Sequence, residues 1–252
     1  MKFGLCTGIS LLEKALEAGA DFIEVNNTPL CKMSDEDFEK NLEIAKKFPG
    51  TILATNGFFP PEIKLTGENQ SLEIRPWVEK SVSRLAQLGV KNIVFGSGQA
   101  RNCPEGFPME KALEQVFEIA CMIADIAKPY GINLTIEPLR KEECNMIHTA
   151  ADSCNMARRS GRDNFRGHMD LYHFMQGGEK LPDLIPHIEI LSHVHIASPV
   201  LRTAPSADDF VDYKAFLDAL RNGGYDGGVS LEGKTSKDWN DIAEYFRFIK
   251  SL

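Results

Sequence analysis

Short apolar segments alternate with longer amphipathic ones along the whole chain, and the alternation repeats eight times. Parallel strands demand this rhythm, because each must be joined to the next by a crossover of about a dozen residues or more, usually a helix. The strand candidates are Lys2 to Cys6, Asp21 to Val25, Thr51 to Asn56, Asn92 to Phe95, Asn133 to Glu137, Arg166 to Asp170, Leu191 to Ile196 and Gly228 to Glu232. Helical periodicity runs between and after them near residues 10–19, 35–47, 71–88, 109–128, 148–160, 179–189, 211–222 and 237–251. Gly19, Gly50, Gly89 and Gly131 precede the second to fifth strands, where a helix must stop.

An open doubly wound sheet gives the same alternation, but it normally carries a glycine-rich phosphate turn after its first strand. The first turn here is CTGIS, with no G-x-G-x-x-G. The expected fold is therefore α/β, a single-domain (β/α)8 TIM barrel over residues 1–252, and 43% hydrophobic residues suffice for its core. Pro, Gly and Asn concentrate at residues 56–70 and 96–108, which predicts long loops on the face where barrels build active sites.

Thirty-six acidic against 28 basic residues give a net charge of −8, which repels polyphosphate backbones and argues against nucleic acid as a partner. The apolar part of MKFGLCTGIS is too short for a signal peptide, and no later run approaches a membrane span, so a soluble, cytoplasmic protein is expected. The six cysteines form no C-x-x-C pair and read as free, mostly buried thiols.

Four stretches place an acidic or imidazole side chain where a strand runs out: TIEP at Glu137, HMD at Asp170, HVH at His195 and SLEG at Glu232. Strand alternation puts Asn133, Thr135 and Glu137 on one face, Arg166, His168 and Asp170 on another, and His193 with His195 on a third. If these faces point into a barrel, three carboxylates and one imidazole meet at its rim. Such a group is costly to bury without a cation and suits a divalent one. His193 is expected deeper, as a partner to the ligands, and Gly233 where a side chain would block a substrate. Glu24 shares a face with Phe22, and either reaches the cleft or forms a salt bridge inside the rim.

The run EPLRKEECN from Glu137, DLYH from Asp170, HVH from His193 and GYDGGVSLE from Gly224 resemble the xylose-isomerase-like TIM barrels. Within them the nearest likeness is to the sugar phosphate isomerase/epimerase group, which includes ketose 3-epimerases. The resemblance implies one divalent ion held by Glu137, Asp170, His195 and Glu232, with manganese expected and magnesium, cobalt or zinc as alternatives, and no organic cofactor. It also implies a metal-dependent sugar isomerase or epimerase in which Glu137 and Glu232 move protons through an enediolate that the ion stabilises. Inosose-type dehydration is the alternative reaction. Glu143, Asn145 and His173 match family substrate-binding positions; the arginine expected at Leu201 falls one residue later, at Arg202.

Further substrate contacts are expected from His193, from Asn56 with Phe58 and Phe59, and from Arg101 with Asn102 in the loop GSGQARNCPEGF, which can offer amides to an anionic group or simply close the rim. The partner expected is a small sugar or hydroxycarbonyl compound; self-association into a homo-oligomer is left open. Two rivals compete with this reading. An endonuclease IV type of enzyme needs a three-zinc site with more histidines than the six here, and a non-catalytic sugar-binding barrel would keep the ion only to hold the rim together.

Overall fold

All eight strands form, pair in parallel in chain order, and close when the last pairs with the first. The computed structural model describes residues 1–252. The strands are β1 (Lys2–Cys6), β2 (Phe22–Asn26), β3 (Ile52–Asn56), β4 (Asn92–Phe95), β5 (Asn133–Ile136), β6 (Phe165–Asp170), β7 (Leu191–Ile196) and β8 (Gly228–Leu231). The helices are α1 (Leu12–Glu17), α2 (Asn27–Lys32), α3 (Asp35–Lys47), α4 (Ile74–Leu88), α5 (Gly98–Arg101), α6 (Met109–Ala127), α7 (Ala150–Ser160), α8 (Leu171–Gln176), α9 (Leu181–Leu184), α10 (Tyr213–Asn222) and α11 (Trp239–Ser251). None is long and apolar enough to cross a membrane.

The helices form where periodicity and capping coincide. In α3, Ser34 Oγ accepts from Asp37 N at 3.1 Å while Phe38, Leu42 and Ala45 turn inward. In α7, Thr149 and Asp152 make a reciprocal capping box. Gly89 ends α4 at φ +81°, a left-handed conformation that a side chain would strain.

Expectation and structure differ at several short elements. The segment expected as one helix over 179–189 divides into α9 and a 3-10 turn at Ile185–Ile190, since Pro186 lacks the amide hydrogen that an α ladder needs. α2, α5 and α8 have four to six residues each, too few for an amphipathic period to show. Consequently the loop over 96–108 contains a helical turn, and Asp170, the last residue of β6, caps α8.

Sixty-four buried residues form one continuous apolar cluster, so a single core runs through the chain. The bore of the barrel is different. Phe22 plugs its amino-terminal end, and glycine at positions 4 and 228 on β1 and β8 makes room: a Cβ at either would collide with its ring. Above Phe22 the bore turns polar, with Glu24, Thr135, His168, His193 and Ser230 all buried.

Candidate active site

Inward-facing positions at the carboxyl ends of β5 to β8 converge on one point. Donor atoms of Glu137, Asp170, His195 and Glu232 all lie within 4.8 Å of one another. His195 Nδ1 is the hub: Glu137 Oε1 is 3.2 Å away, Glu232 Oε2 3.5 Å and Asp170 Oδ2 3.7 Å. Glu137 and Glu232 stand one residue beyond their strands, yet their amides still bond to Phe95 O and Ile196 O at 3.1 and 3.2 Å, which pins both carboxylates to the rim. Gly96 leaves space for Glu137, because a Cβ there would strike Oε2.

A divalent cation fits this set. Nδ1 carries at most one proton, so it cannot satisfy three carboxylates at once, and Asp170 Oδ2, although buried, has no hydrogen-bond partner. Its other oxygen is committed, since Oδ1 caps α8 by accepting from His173 N at 2.9 Å. Mostly oxygen donors with one imidazole suit a hard or borderline ion.

Beneath the cluster lies a relay. Glu24 is fully buried, and its two oxygens meet His195 Nε2 at 2.9 Å and His193 Nε2 at 2.7 Å. Ser230 Oγ is 3.0 Å from the same His193 nitrogen. His193 therefore sits below the ligands, buried and paired with Glu24 and Ser230. Of the two roles weighed for Glu24, the internal pairing is the one adopted.

The charges sort by environment. Burial opposes ionisation of Glu24, but the His195 and His193 imidazoles hold its carboxyl well below the usual range. Burial, then Glu232, raises Glu137 and lifts Asp170 to about 6. Burial would raise Glu232, but His195 and Arg202 together lower it to about 2. His195 is raised well above its ordinary value, burial being overcome by Glu24 and Glu232. Burial lowers His168 and His173, favouring their neutral forms.

Arg202 ties the rim together. Its Nη2 donates to Glu232 Oε2 at 2.7 Å and Nη1 to Glu143 Oε1 at 3.2 Å, while His173 Nε2 lies 3.3 Å from Nη2. The backbone at Arg202 is specific: it adopts φ +52°, its amide bonds Ser198 O at 2.9 Å, and its carbonyl accepts from Lys234 N at 2.6 Å. A Cβ on Gly233 would strike that carbonyl, so this glycine makes room for the Arg202 loop. Arg140, not singled out in the sequence, also bonds Glu143 (Nε to Oε1, 2.8 Å), and Arg140 and Arg202 both stack on Tyr172, 5.2 and 4.9 Å from the ring centre.

Asn56 arrives at the cleft, with Nδ2 3.3 Å from Glu232 Oε1. Arg101 does not. It is wholly buried, donating to Phe95 O at 3.0 Å and Glu137 O at 2.6 Å, because α5 turns its side chain inward beneath the rim. Phe58 and Phe59 pack into the core, with Phe59 edge-on against Phe95. Asn145 joins two loops, its side chain exchanging hydrogen bonds with the Cys103 backbone at 2.9 Å. All six cysteines are free, and only Cys6 is more than slightly exposed.

The xylose isomerase-like TIM barrel family matches residues 12–252. The chain belongs to this family. Among its relatives, D-psicose 3-epimerase of Agrobacterium fabrum is 26% identical over 92% of this chain and 84% of that protein. The 3-dehydro-D-guloside 4-epimerase of Escherichia coli is 28% identical over 76% of this chain and 71% of its own. The crystal structure of 3-keto-D-glucoside 4-epimerase from E. coli superposes with a TM-score of 0.85 at 20% identity, covering 100% of both chains, which is a likeness of fold. This xylose isomerase-like barrel thus stands among relatives that are sugar epimerases and isomerases.

Proposed function

We propose that the chain is a divalent-metal-dependent isomerase or epimerase of a sugar, ketose or related hydroxycarbonyl compound, with the ion held by Glu137, Asp170, His195 and Glu232. The observation that carries this reading is the convergence of those four donors around a buried Asp170 oxygen that has no partner. Manganese suits the donor set, with magnesium, cobalt or zinc as alternatives. A bound dication supplies polarisation of a carbonyl, which acidifies the neighbouring carbon-bound proton and stabilises the charge left behind.

The chain's own groups do the rest. Glu137 and Glu232 both approach His195 Nδ1, at 3.2 and 3.5 Å, so a substrate carbonyl bound beside the ion comes within reach of two carboxylates. One removes the proton to leave an enediolate. Return of a proton to the opposite face epimerises, and return to the neighbouring carbon isomerises. Arg202, Glu143 and His173 form a linked polar edge that orients substrate oxygens, and Asn56 does so from the β3 side. The relatives' names point the same way.

The test is solvent exchange. Manganese-loaded protein, incubated in deuterated water with a panel of ketoses and hydroxycarbonyl acids, is expected to place deuterium beside the carbonyl of its substrate. A loaded protein that exchanges no proton on any of them would favour a barrel that binds sugar without chemistry.

A further inference from the structure

Past Glu143 the rim opens outward. Gln99 and Asn102 line a recess of about 420 Å³ together with Leu139, Glu142 and Glu143. The same two residues line an outer recess of about 720 Å³ that also contains Lys64, Asn69 and Phe107. The route from there to the acidic cluster is a chain of contacts, since Glu143 bonds Arg202 and Arg202 bonds Glu232.

The frame of the outer recess is fixed while its side chains are free. Thr66 Oγ1 donates to Asn102 O at 2.5 Å, the Gln115 amide pairs with the Gly67 backbone at 2.8 and 2.9 Å, and Asn102 Oδ1 accepts from Asn145 N at 2.9 Å. In contrast, the side chains of Lys64, Glu68, Asn69, Gln99 and Glu105 are exposed, and none makes a hydrogen bond or ion pair within the chain. The chemistry is specific. Amides both donate and accept, as hydroxyls do, so Asn69 and Gln99 complement a polyol. Phe107 adds an apolar face of the kind that packs on a sugar ring. One lysine against two glutamates leaves the recess net negative, which disfavours a phosphate. Its volume falls within the roughly 300–1,000 Å³ of small-molecule sites and lies outside the cleft that holds the reacting group.

We infer that the outer recess binds a second, uncharged sugar ring, so that the substrate is a two-ring keto-glycoside whose reacting ring lies between Glu137 and Glu232. This rests on the isomerase reading above for the chemistry, though not for the binding.

The experiment compares a ring-ketone derivative of cellobiose with the free ketohexose D-psicose on manganese-loaded protein, reading deuterium uptake, in the wild type and in Asn69→Ala/Gln99→Ala. The wild type is expected to favour the two-ring compound in kcat/KM by about tenfold, the equivalent of two ordinary hydrogen bonds. The double variant should lose that preference and keep its rate on the ketohexose. No preference in the wild type, or a preference that survives the double substitution, would overturn the proposal. Saturation-transfer NMR with unmodified cellobiose reads the recess without chemistry. Contact in the wild type that is lost in the variant supports it even if neither compound exchanges a proton, an outcome that would sink the isomerase reading alone.

Discussion

Glu24 Oε1 lies 2.9 Å from His195 Nε2, on the edge of the ring opposite the one that faces Glu137, Asp170 and Glu232. A carboxylate in that position fixes the ring and keeps hydrogen on Nε2, which leaves the Nδ1 lone pair for the cluster. Glu24→Gln is expected to weaken manganese binding by about 10–100-fold, measured by titration calorimetry. Unchanged affinity would detach Glu24 from the centre.

Glu137 and Glu232 are the two groups placed to move protons. Each glutamine variant is expected to lower the exchange rate by about 10²–10⁴-fold. Far-UV circular dichroism should show the fold retained. Exchange at the wild-type rate in both variants would remove the acid and base roles from these residues.

Acidity of the metal-free chain supplies a third test. Burial with Glu232 nearby lifts Asp170 from 3.8 to about 6. A carboxyl raised in the folded state stabilises it fully below the lower value, and the contribution is lost as pH rises through the upper one. Thermal stability attributable to Asp170 should fall across that window, and Asp170→Asn should flatten the fall. Because a dication needs the ionised carboxylate, added manganese should raise Tm more at neutral pH than below the window.

Arg101 is expected to act on stability. Arg101→Met leaves the Phe95 and Glu137 carbonyls without their buried donor, and the loss should be about 2–4 kcal/mol in urea denaturation. If Arg101 instead bound a substrate anion, the variant would unfold like the wild type and lose affinity for phosphorylated ketoses.

Most of the barrel was legible because two periodicities, one of strands and one of helices, alternate cleanly. The inward direction of Glu137, Asp170 and His195 follows from the same two-residue period, and their height at the rim from where each strand ends. What was not legible depends on closure and on short turns. Alternation places Glu24 inward, but its meeting with His193 and His195 arises only when β2 comes round to face β7 across the bore. Arg101 points inward because α5, four residues long, aims it there. The Arg202 side chain reaches Glu232 through a left-handed residue that composition does not announce.

The central claim is that the β5 to β8 ends share one dication. Crystals soaked in manganese and measured for anomalous scattering test it most directly. The account predicts one strong peak about 2.0–2.4 Å from oxygens of Glu137, Asp170 and Glu232 and from His195 Nδ1. A peak lying elsewhere, or none at this cluster under saturating manganese, would contradict it.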